Sequence, residues 1–140
     1  MNNFFVLAFI LFISCNKDII SSNGEQITYN SDISIEKNQE SINVVIHDYP
    51  TISGFQFDLS QSENLNITSL QGVSGLSEEY EFYVATSINN LRVLAFSLTE
   101  NIIPASNNHS DILIKLELSY EGFGELGLTN VILSGENGEE

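Results

Sequence analysis

The chain has 140 residues, which is enough for one domain but not for two independent hydrophobic cores. Its formal net charge of −15, with only four basic residues, argues against binding to nucleic acid or to anionic lipid through protein charge. Hydrophobic residues make up 42% of the chain, which argues against disorder throughout.

The first segment is an apolar run over residues 4–13, followed by Ser14 and Cys15. As a helix the run would rise only about 15 Å, half the hydrocarbon core of a bilayer, so it fits a signal peptide and not a membrane span. Residues 1–14 are therefore predicted to be the signal peptide of an exported protein. The sequence Phe12-Ile13-Ser14-Cys15 resembles a bacterial lipobox, which implies a lipid on Cys15 and anchoring at the cell envelope or cell surface. An ordinary signal peptide with an incidental cysteine is one alternative. A buried N-terminal strand is the other, and it is disfavoured because no polar residues alternate through the run.

Residues 15–31 follow as a polar segment rich in Asn, Ser, Asp and Gly. This composition predicts a flexible tether between the lipidated cysteine and a folded domain. Cys15 is the only cysteine, so the chain has no internal disulfide.

From residue 32 to residue 140 apolar and polar residues alternate with the period of β-strands, and Gly, Pro and Asn residues separate the segments. Eight or nine short strands of this kind predict an all-β fold, a two-sheet antiparallel β-sandwich with jelly-roll topology. At most one helical turn is expected, within residues 101–110. The predicted inward positions are Ile33, Ile35, Ile42, Val44, Ile46, Phe55, Phe57, Leu59, Leu65, Ile67, Phe82, Val84, Leu94, Phe96, Leu98, Ile112, Ile114, Leu116, Leu118, Leu126, Leu128, Val131 and Leu133.

Several segments of this region keep an order and spacing typical of one family. They are Val44-Val45-Ile46, residues 52–60 (ISGFQFDLS), Leu65-Asn66-Ile67, residues 91–98 (LRVLAFSL), Asp111 to Leu116 after Pro104, and residues 128–134 (LTNVILS) followed by Asn137-Gly138. Together they resemble a cohesin domain, so residues 32–140 are predicted to form a cohesin-like sandwich. The resemblance implies a fold related to carbohydrate-binding modules, no catalysis, no cofactor, and a dockerin module as the partner.

The resemblance also implies a binding face. Dockerin lies across the outer face of one sheet, whose strands match residues 52–60, 79–86, 91–98 and 126–133 of this chain. Alternation within those strands, together with the loop that follows one of them, selects the predicted contact residues. They are Gln56, Asp58, Tyr83, Ala95, Ser97, Glu100 and Thr129.

The same resemblance predicts one further strand after Asn137-Gly138, placed at a sheet edge beside the first strand. The sequence stops at Glu140. An edge with unpaired backbone groups, open to a strand from a partner chain, is therefore expected.

Two functional classes fit these residues. The first is a protein-binding module for a dockerin-like or other exported protein, acting in polysaccharide degradation or envelope assembly. The second is a carbohydrate-binding module for polysaccharide, although the chain has five tyrosines and no tryptophan to offer as stacking surfaces. A planar row of exposed aromatic rings would favour the second, and an open polar face with Gln56, Asp58 and Ser97 would favour the first. A structural role in an envelope complex is a third possibility.

Catalysis and metal binding have little support in the sequence. His47 and His109 are the only histidines, and no Gly-x-Ser-x-Gly turn is present to hold a nucleophile. The carboxylates form no regular calcium-binding loop. The sequence therefore predicts a protein that is not an enzyme and has no catalytic residues, metal or cofactor.

Overall fold

The computed structural model describes the backbone of residues 13–20, 26–38 and 41–135, and the side chains of residues 32–38 and 41–135. Most of the predicted signal peptide, residues 1–12, and the predicted turn at Asn137-Gly138 lie outside the described residues, as does the side chain of Cys15. Within the described ranges, no helix has the length and hydropathy needed to cross a membrane.

Strands dominate the described residues, and the only helix among them is a single turn. In chain order the elements are β1 (Ile13–Ile20), β2 (Gln26–Lys37), β3 (Ser41–Tyr49), β4 (Gly54–Gln61), β5 (Leu65–Ser74), α1 (Leu76–Glu79), β6 (Tyr83–Ser87), β7 (Arg92–Phe96), β8 (Ser106–Gly122) and β9 (Leu126–Ser134). Each of these strands from β2 to β9 coincides with, or extends, a segment in which the sequence alternates with a period of two.

The strands form two sheets that pack face to face. One sheet has five strands in the order β1-β2-β3-β8-β5, and the other has four in the order β6-β7-β4-β9. All of the pairings within them are antiparallel, and successive strands such as β3 and β4 lie in different sheets. The predicted all-β, two-sheet antiparallel sandwich with jelly-roll topology is confirmed.

The hydrophobic core lies between the inner faces of the two sheets. Its centre includes Phe55, Phe57 and Phe82, as predicted, with ring centroids 6.1 Å apart for the first pair and 6.5 Å apart for Phe55 and Phe82. From the five-stranded sheet, Val44 and Ile46 are completely buried against them. Full burial of each side chain of this size contributes about 1.5–3 kcal/mol to folding.

The face of β7 that packs against the core is opposite to the predicted face. Val93 and Ala95 are completely buried, whereas Leu94 and Phe96 lie on the outer side of the sheet. Residues two apart in a strand share a face, so Arg92 lies on the same side as Leu94 and Phe96. Because burying a guanidinium in the core is costly, Arg92 favours the orientation of β7 in which Arg92, Leu94 and Phe96 face outward.

A β-bulge interrupts the alternation in β8. Val44 pairs with Ile114, but Val45 pairs with Ile112, so Leu113 is an extra residue on β8. Leu113 and Ile114 are both buried, and Ile112, which was predicted to face the core, is 40% exposed.

The single helical turn lies at a different place from the predicted one. α1 connects β5 to β6, whereas residues 106–110, within the range where a helical turn was expected, begin β8. Gly75 precedes α1 with a φ of 106°, and a Cβ at this position would lie 2.9 Å from the carbonyl oxygen of Ile112. The chain entering α1 therefore requires glycine for both its backbone conformation and its close packing.

β1 and β2 pair from Ile13 opposite Ile33 to Ile20 opposite Gln26. Residues 15–20 and 26–31 are thus extended strand, which differs from the irregular conformation expected of a tether. β1 also occupies the edge beside β2, where the cohesin resemblance placed unpaired backbone groups. Cleavage before Cys15 and lipidation of Cys15 stay predictions.

Candidate functional site: the outer face of the four-stranded sheet

The outer face of the four-stranded sheet brings together side chains from β6, β7, β4 and β9. The cross-strand register aligns them in two neighbouring rows. Tyr83, Phe96, Gly54 and Ser134 form one row, and Ala85, Leu94, Gln56 and Ile132 form the next.

Four apolar side chains in these rows reach the surface, and they are called the apolar strip here: Tyr83, Leu94, Phe96 and Ile132. Tyr83 is 52% exposed, Leu94 37% and Ile132 36%. Phe96 is half-buried under the Tyr83 ring, with the two centroids 5.4 Å apart and the ring planes tilted by 54°. The strip is therefore a continuous apolar area on the surface of a very acidic chain.

A shallow depression of about 290 Å³ lies in the middle of this face. The residues that line it include Gly54, Gln56, Leu94, Phe96 and Ile132. A Cβ on Gly54 would lie 3.1 Å from the carbonyl oxygen of Ala95, which is a tight contact. The lack of a side chain at Gly54 keeps the depression open.

A polar network borders the apolar strip on the side of Asp58. Asp58 faces Arg92 across the β4–β7 pair, and Arg92 donates from Nε to Oδ1 at 2.7 Å and from Nη2 to Oδ2 at 3.1 Å. The Nδ2 of Asn130 donates to the same Oδ2 at 2.9 Å. Asn130 has a φ of 53° and lies where the β4–β9 register shifts, so a bulge in β9 turns its amide toward Asp58.

This network neutralises the charge that Asp58 would otherwise present. Hydrogen bonds from Arg92 hold the pKa of the Asp58 carboxyl below its usual range, with a smaller contribution from Asn130 and against the opposing effect of burial. The same contact raises the pKa of Arg92. Asp58 is only 9% exposed, so its carboxylate is engaged within the protein and is not available to a partner.

Five of the seven predicted contact residues are at least partly accessible. Tyr83, Glu100 and Thr129 are exposed, and Gln56, which lines the depression, and Ser97 are half-buried. Tyr83 and Gln56 lie in adjacent rows of the face, and Thr129 pairs with Asp58 at its border. The structure therefore brings three of them onto one surface, with Glu100 in the loop that follows β7.

Two predicted contacts, Ala95 and Asp58, need correction, and Ser97 has a structural role in addition. Ala95 is completely buried because it shares the inward phase of β7, so it cannot touch a partner. Asp58 lies on the predicted face but is covered by its own hydrogen-bond partners. The Oγ of Ser97 accepts hydrogen bonds from the backbone N–H groups of Thr99 at 3.1 Å and Asn101 at 2.7 Å, so Ser97 shapes a loop.

Three residues of the apolar strip were missed by the sequence prediction. Leu94 and Phe96 were assigned to the core, although their two-residue spacing from Arg92 indicates the outer face. Ile132 alternates with Leu133, which was correctly placed in the core. For Leu94 and Phe96 a hydrophobic residue was assigned to the core, whereas Ile132 was not assigned to either face.

The two histidines lie away from this face, on β3 and β8. His47 Nδ1 is 2.9 Å from Ser110 Oγ, and His109 Nε2 is 3.2 Å from Asp111 Oδ1. The hydroxyl of Tyr49 donates to Asp111, and burial together with this hydrogen bond raises the pKa of Tyr49. These contacts tie β3 to β8. In the part of the chain that the structure describes, no three His, Cys, Asp or Glu side chains are grouped so as to hold a metal ion.

Comparison with known proteins adds no family: no protein-family model matches the chain, and no curated protein matches its sequence. Fold and surface therefore define the class. The chain is an all-β sandwich that displays an apolar strip on the outer face of its four-stranded sheet.

Proposed function

We propose that this protein is a non-catalytic binding module that docks an exported protein of the dockerin type on the apolar strip. The observation that carries the proposal is the exposure of Tyr83, Leu94 and Ile132 together on one sheet face of a chain with a net charge of −15. Exposed apolar side chains gathered into one patch are typical of interaction sites, whereas single exposed ones are ordinary.

The face has the layout of a protein-binding surface. Its centre is mainly apolar and includes one exposed aromatic ring, Tyr83, and its border carries Thr129 and the Asp58–Arg92 pair. Interfaces commonly combine an apolar, aromatic centre with a polar rim that excludes water. The depression over Gly54 offers a place for one side chain of the partner.

Charge indicates the kind of partner. Glu81 lies two residues before Tyr83 and Glu100 lies four residues after Phe96, and both are exposed. Arg92, the basic residue of this face, already pairs with Asp58. A partner with an apolar patch flanked by Lys or Arg would complement this surface and would associate faster at low ionic strength.

Ring geometry favours a protein over a flat polysaccharide at this face. A sugar-stacking platform needs aromatic rings that lie in one plane and face solvent. Tyr83 and Phe96 are tilted by 54° to each other, and Phe96 is half-buried. The pair supplies apolar contact area but no planar platform.

The proposal is tested by placing a charge in the apolar strip. Ile132→Glu puts a carboxylate beside the depression, and Ile112→Glu is a matched control on the outer face of the other sheet, since the two isoleucines are 36% and 40% exposed. Purified chain and both variants are immobilised, exposed to the exported proteins of the same cell, and the captured proteins are identified by mass spectrometry.

We expect capture of a dockerin-bearing protein by the unchanged chain and by Ile112→Glu. Direct binding of that purified protein should weaken at least about tenfold with Ile132→Glu, because burial of a carboxylate without a partner is costly. Equal binding by both variants, or no dockerin-bearing protein among those captured, would overturn the proposal. Circular dichroism of each variant establishes that the sandwich is intact.

A further inference from the structure

An aromatic side chain faces solvent at one end of the sandwich, away from the apolar strip. Phe123 lies in the loop that joins β8 to β9 and is 62% exposed. The β4–β5 loop and the β6–β7 turn open at the same end, because the first residues of β7 and of β9 both pair with the second half of β4. Ile88 in that turn is 43% exposed. The three connections are called the loop end here: residues 62–64, 88–91 and 123–125.

The loop that carries Phe123 is packed tightly against the β4–β5 loop. The N–H of Phe123 donates to the carbonyl oxygen of Asn64 at 3.0 Å. Gly122 has a φ of 86°, and a Cβ there would overlap the same carbonyl oxygen. A Cβ at Gly124 would overlap the hydroxyl of Ser62. The glycines on both sides of Phe123 are therefore required, and the loop that they form holds the ring in solvent.

Three carboxylates lie close to Phe123 along the chain and across the loop end. Glu121 and Glu125 lie two residues before and two residues after Phe123. Glu63 lies in the β4–β5 loop that packs against it. All three are exposed, and none of their carboxylates forms an ion pair with another described residue. The loop end therefore presents an apolar ring within a negative surface.

We propose that the loop end is a second protein-binding site, where Phe123 enters an apolar pocket whose rim carries Lys or Arg. Exposure alone would be ordinary for one side chain, but this ring is fixed by its loop and has carboxylates beside it. Aromatic side chains are frequent anchors of interfaces, and a loop already in its bound conformation lowers the cost of binding. A guanidinium of the partner can lie over the ring and pair with a carboxylate.

Charge favours a basic protein over other occupants of the loop end. The exposed carboxylates repel an anionic bilayer surface, and they also repel a second copy of this chain, whose net charge is −15. Phe123 alone offers a saccharide one stacking surface and no planar row. A partner with Lys or Arg around its pocket gains from the same carboxylates, and it should associate faster at low ionic strength.

A photo-crosslinker in place of Phe123 tests the proposal. Phe123→p-benzoylphenylalanine keeps an aromatic ring in the loop, and Ile112→p-benzoylphenylalanine puts the same group on the outer face of the five-stranded sheet, where Ile112 is 40% exposed. The purified variants are irradiated together with the exported proteins of the same cell, and crosslinked peptides are identified by mass spectrometry. We expect a protein that is crosslinked only by the Phe123 variant, through a segment in which Lys or Arg flanks apolar residues.

Direct binding of that purified protein measures the contribution of the ring. Phe123→Ser should weaken binding at least about tenfold, Ile112→Ser should leave it unchanged, and added NaCl should weaken it. The proposal is overturned by no crosslinked protein, by the same proteins at both positions, by a second copy of this chain as the product, or by equal binding of the two serine variants. Ile132→Glu leaves the loop end intact and should not reduce this binding, so failure here and failure of docking on the apolar strip are distinguishable.

Discussion

Asp58 is a nearly buried charge on the outer side of a sheet, and its three hydrogen bonds link β4, β7 and β9. Because its pKa is lowered in the folded protein, the ionised form is stabilised by folding. That contribution is complete above the unfolded-state pKa of about 3.9, and it is lost as the pH falls through the lower folded-state value.

Asp58→Asn keeps the shape of the side chain and removes its charge. We expect a loss of about 1 kcal/mol in the free energy of unfolding at pH 7, because charge-assisted hydrogen bonds become neutral ones. The loss should shrink as the pH falls below about 4, because the unfolded chain takes up a proton at Asp58 there and the folded protein does so only at its lower pKa. Urea unfolding at several pH values measures this, with the exposed Glu121→Gln as the control. A deficit that stays constant down to pH 2 would contradict the role assigned to the charge.

The direction of a side chain was predictable for some residues of these strands and not for others. Phe55 and Phe57 alternate with polar neighbours, so their inward direction was predictable and is confirmed. Leu94 and Ala95 lie in a segment with apolar residues in both phases, and hydrophobicity alone selected the wrong one. A charged residue in the same strand, Arg92, carries the information that resolves such a segment, because it must face outward or find a buried partner.

At the scale of the element, the bulge in β8 decides which isoleucine is in the core. Ile114 is completely buried, whereas Ile112, two residues away, is 40% exposed. Ile114→Ala should cost about 3 kcal/mol, and Ile112→Ala about 1 kcal/mol or less, since a cavity forms only at the buried site. Chemical denaturation of the two variants compares them directly. Equal costs would mean that β8 runs without the extra residue.

The bulge itself was not predictable from the sequence. Ile112, Leu113 and Ile114 are all apolar, so the segment fits either phase and contains no glycine or polar residue to mark the irregularity. The pairing with β3 reveals it, because Val44 and Val45 are neighbours that pair with residues two apart on β8. Long-range register of this kind is a tertiary property that local alternation does not encode.

At the scale of the whole molecule, β1 covers the outer edge of β2 and makes the sheet five strands wide. Two truncated variants separate the role of β1 from that of the apolar residues 4–12. The first starts at Ser21 and lacks both, and the second starts at Ile13 and lacks only the residues before β1. We expect the shorter variant to self-associate as its concentration rises, because an exposed strand edge pairs readily with another chain. Sedimentation velocity measures this. Equal behaviour of the two variants would show that β1 does not protect the edge.

The overall sandwich was predictable because eight alternating segments with turn residues between them leave few other architectures. The position of β1 was not, since the apolar run of residues 4–13 indicates a signal peptide and the polar segment after it indicates a tether. Composition describes the local preference of a segment, and a strand at a sheet edge is held mainly by backbone hydrogen bonds that composition does not reveal.

Pairing of β1 with β2 would also set how an anchored protein stands on a bilayer. A flexible tether of residues 16–31 would have an end-to-end distance of roughly 20 Å, so the domain could move that far from its lipid. With Cys15 in register opposite Ser31, a lipid on that cysteine instead leaves directly from the sheet edge. The β1 edge of the five-stranded sheet would then face the bilayer, and the outer faces of both sheets would be perpendicular to the membrane plane. Its apolar strip would then point sideways along the surface of the cell, and not toward the membrane.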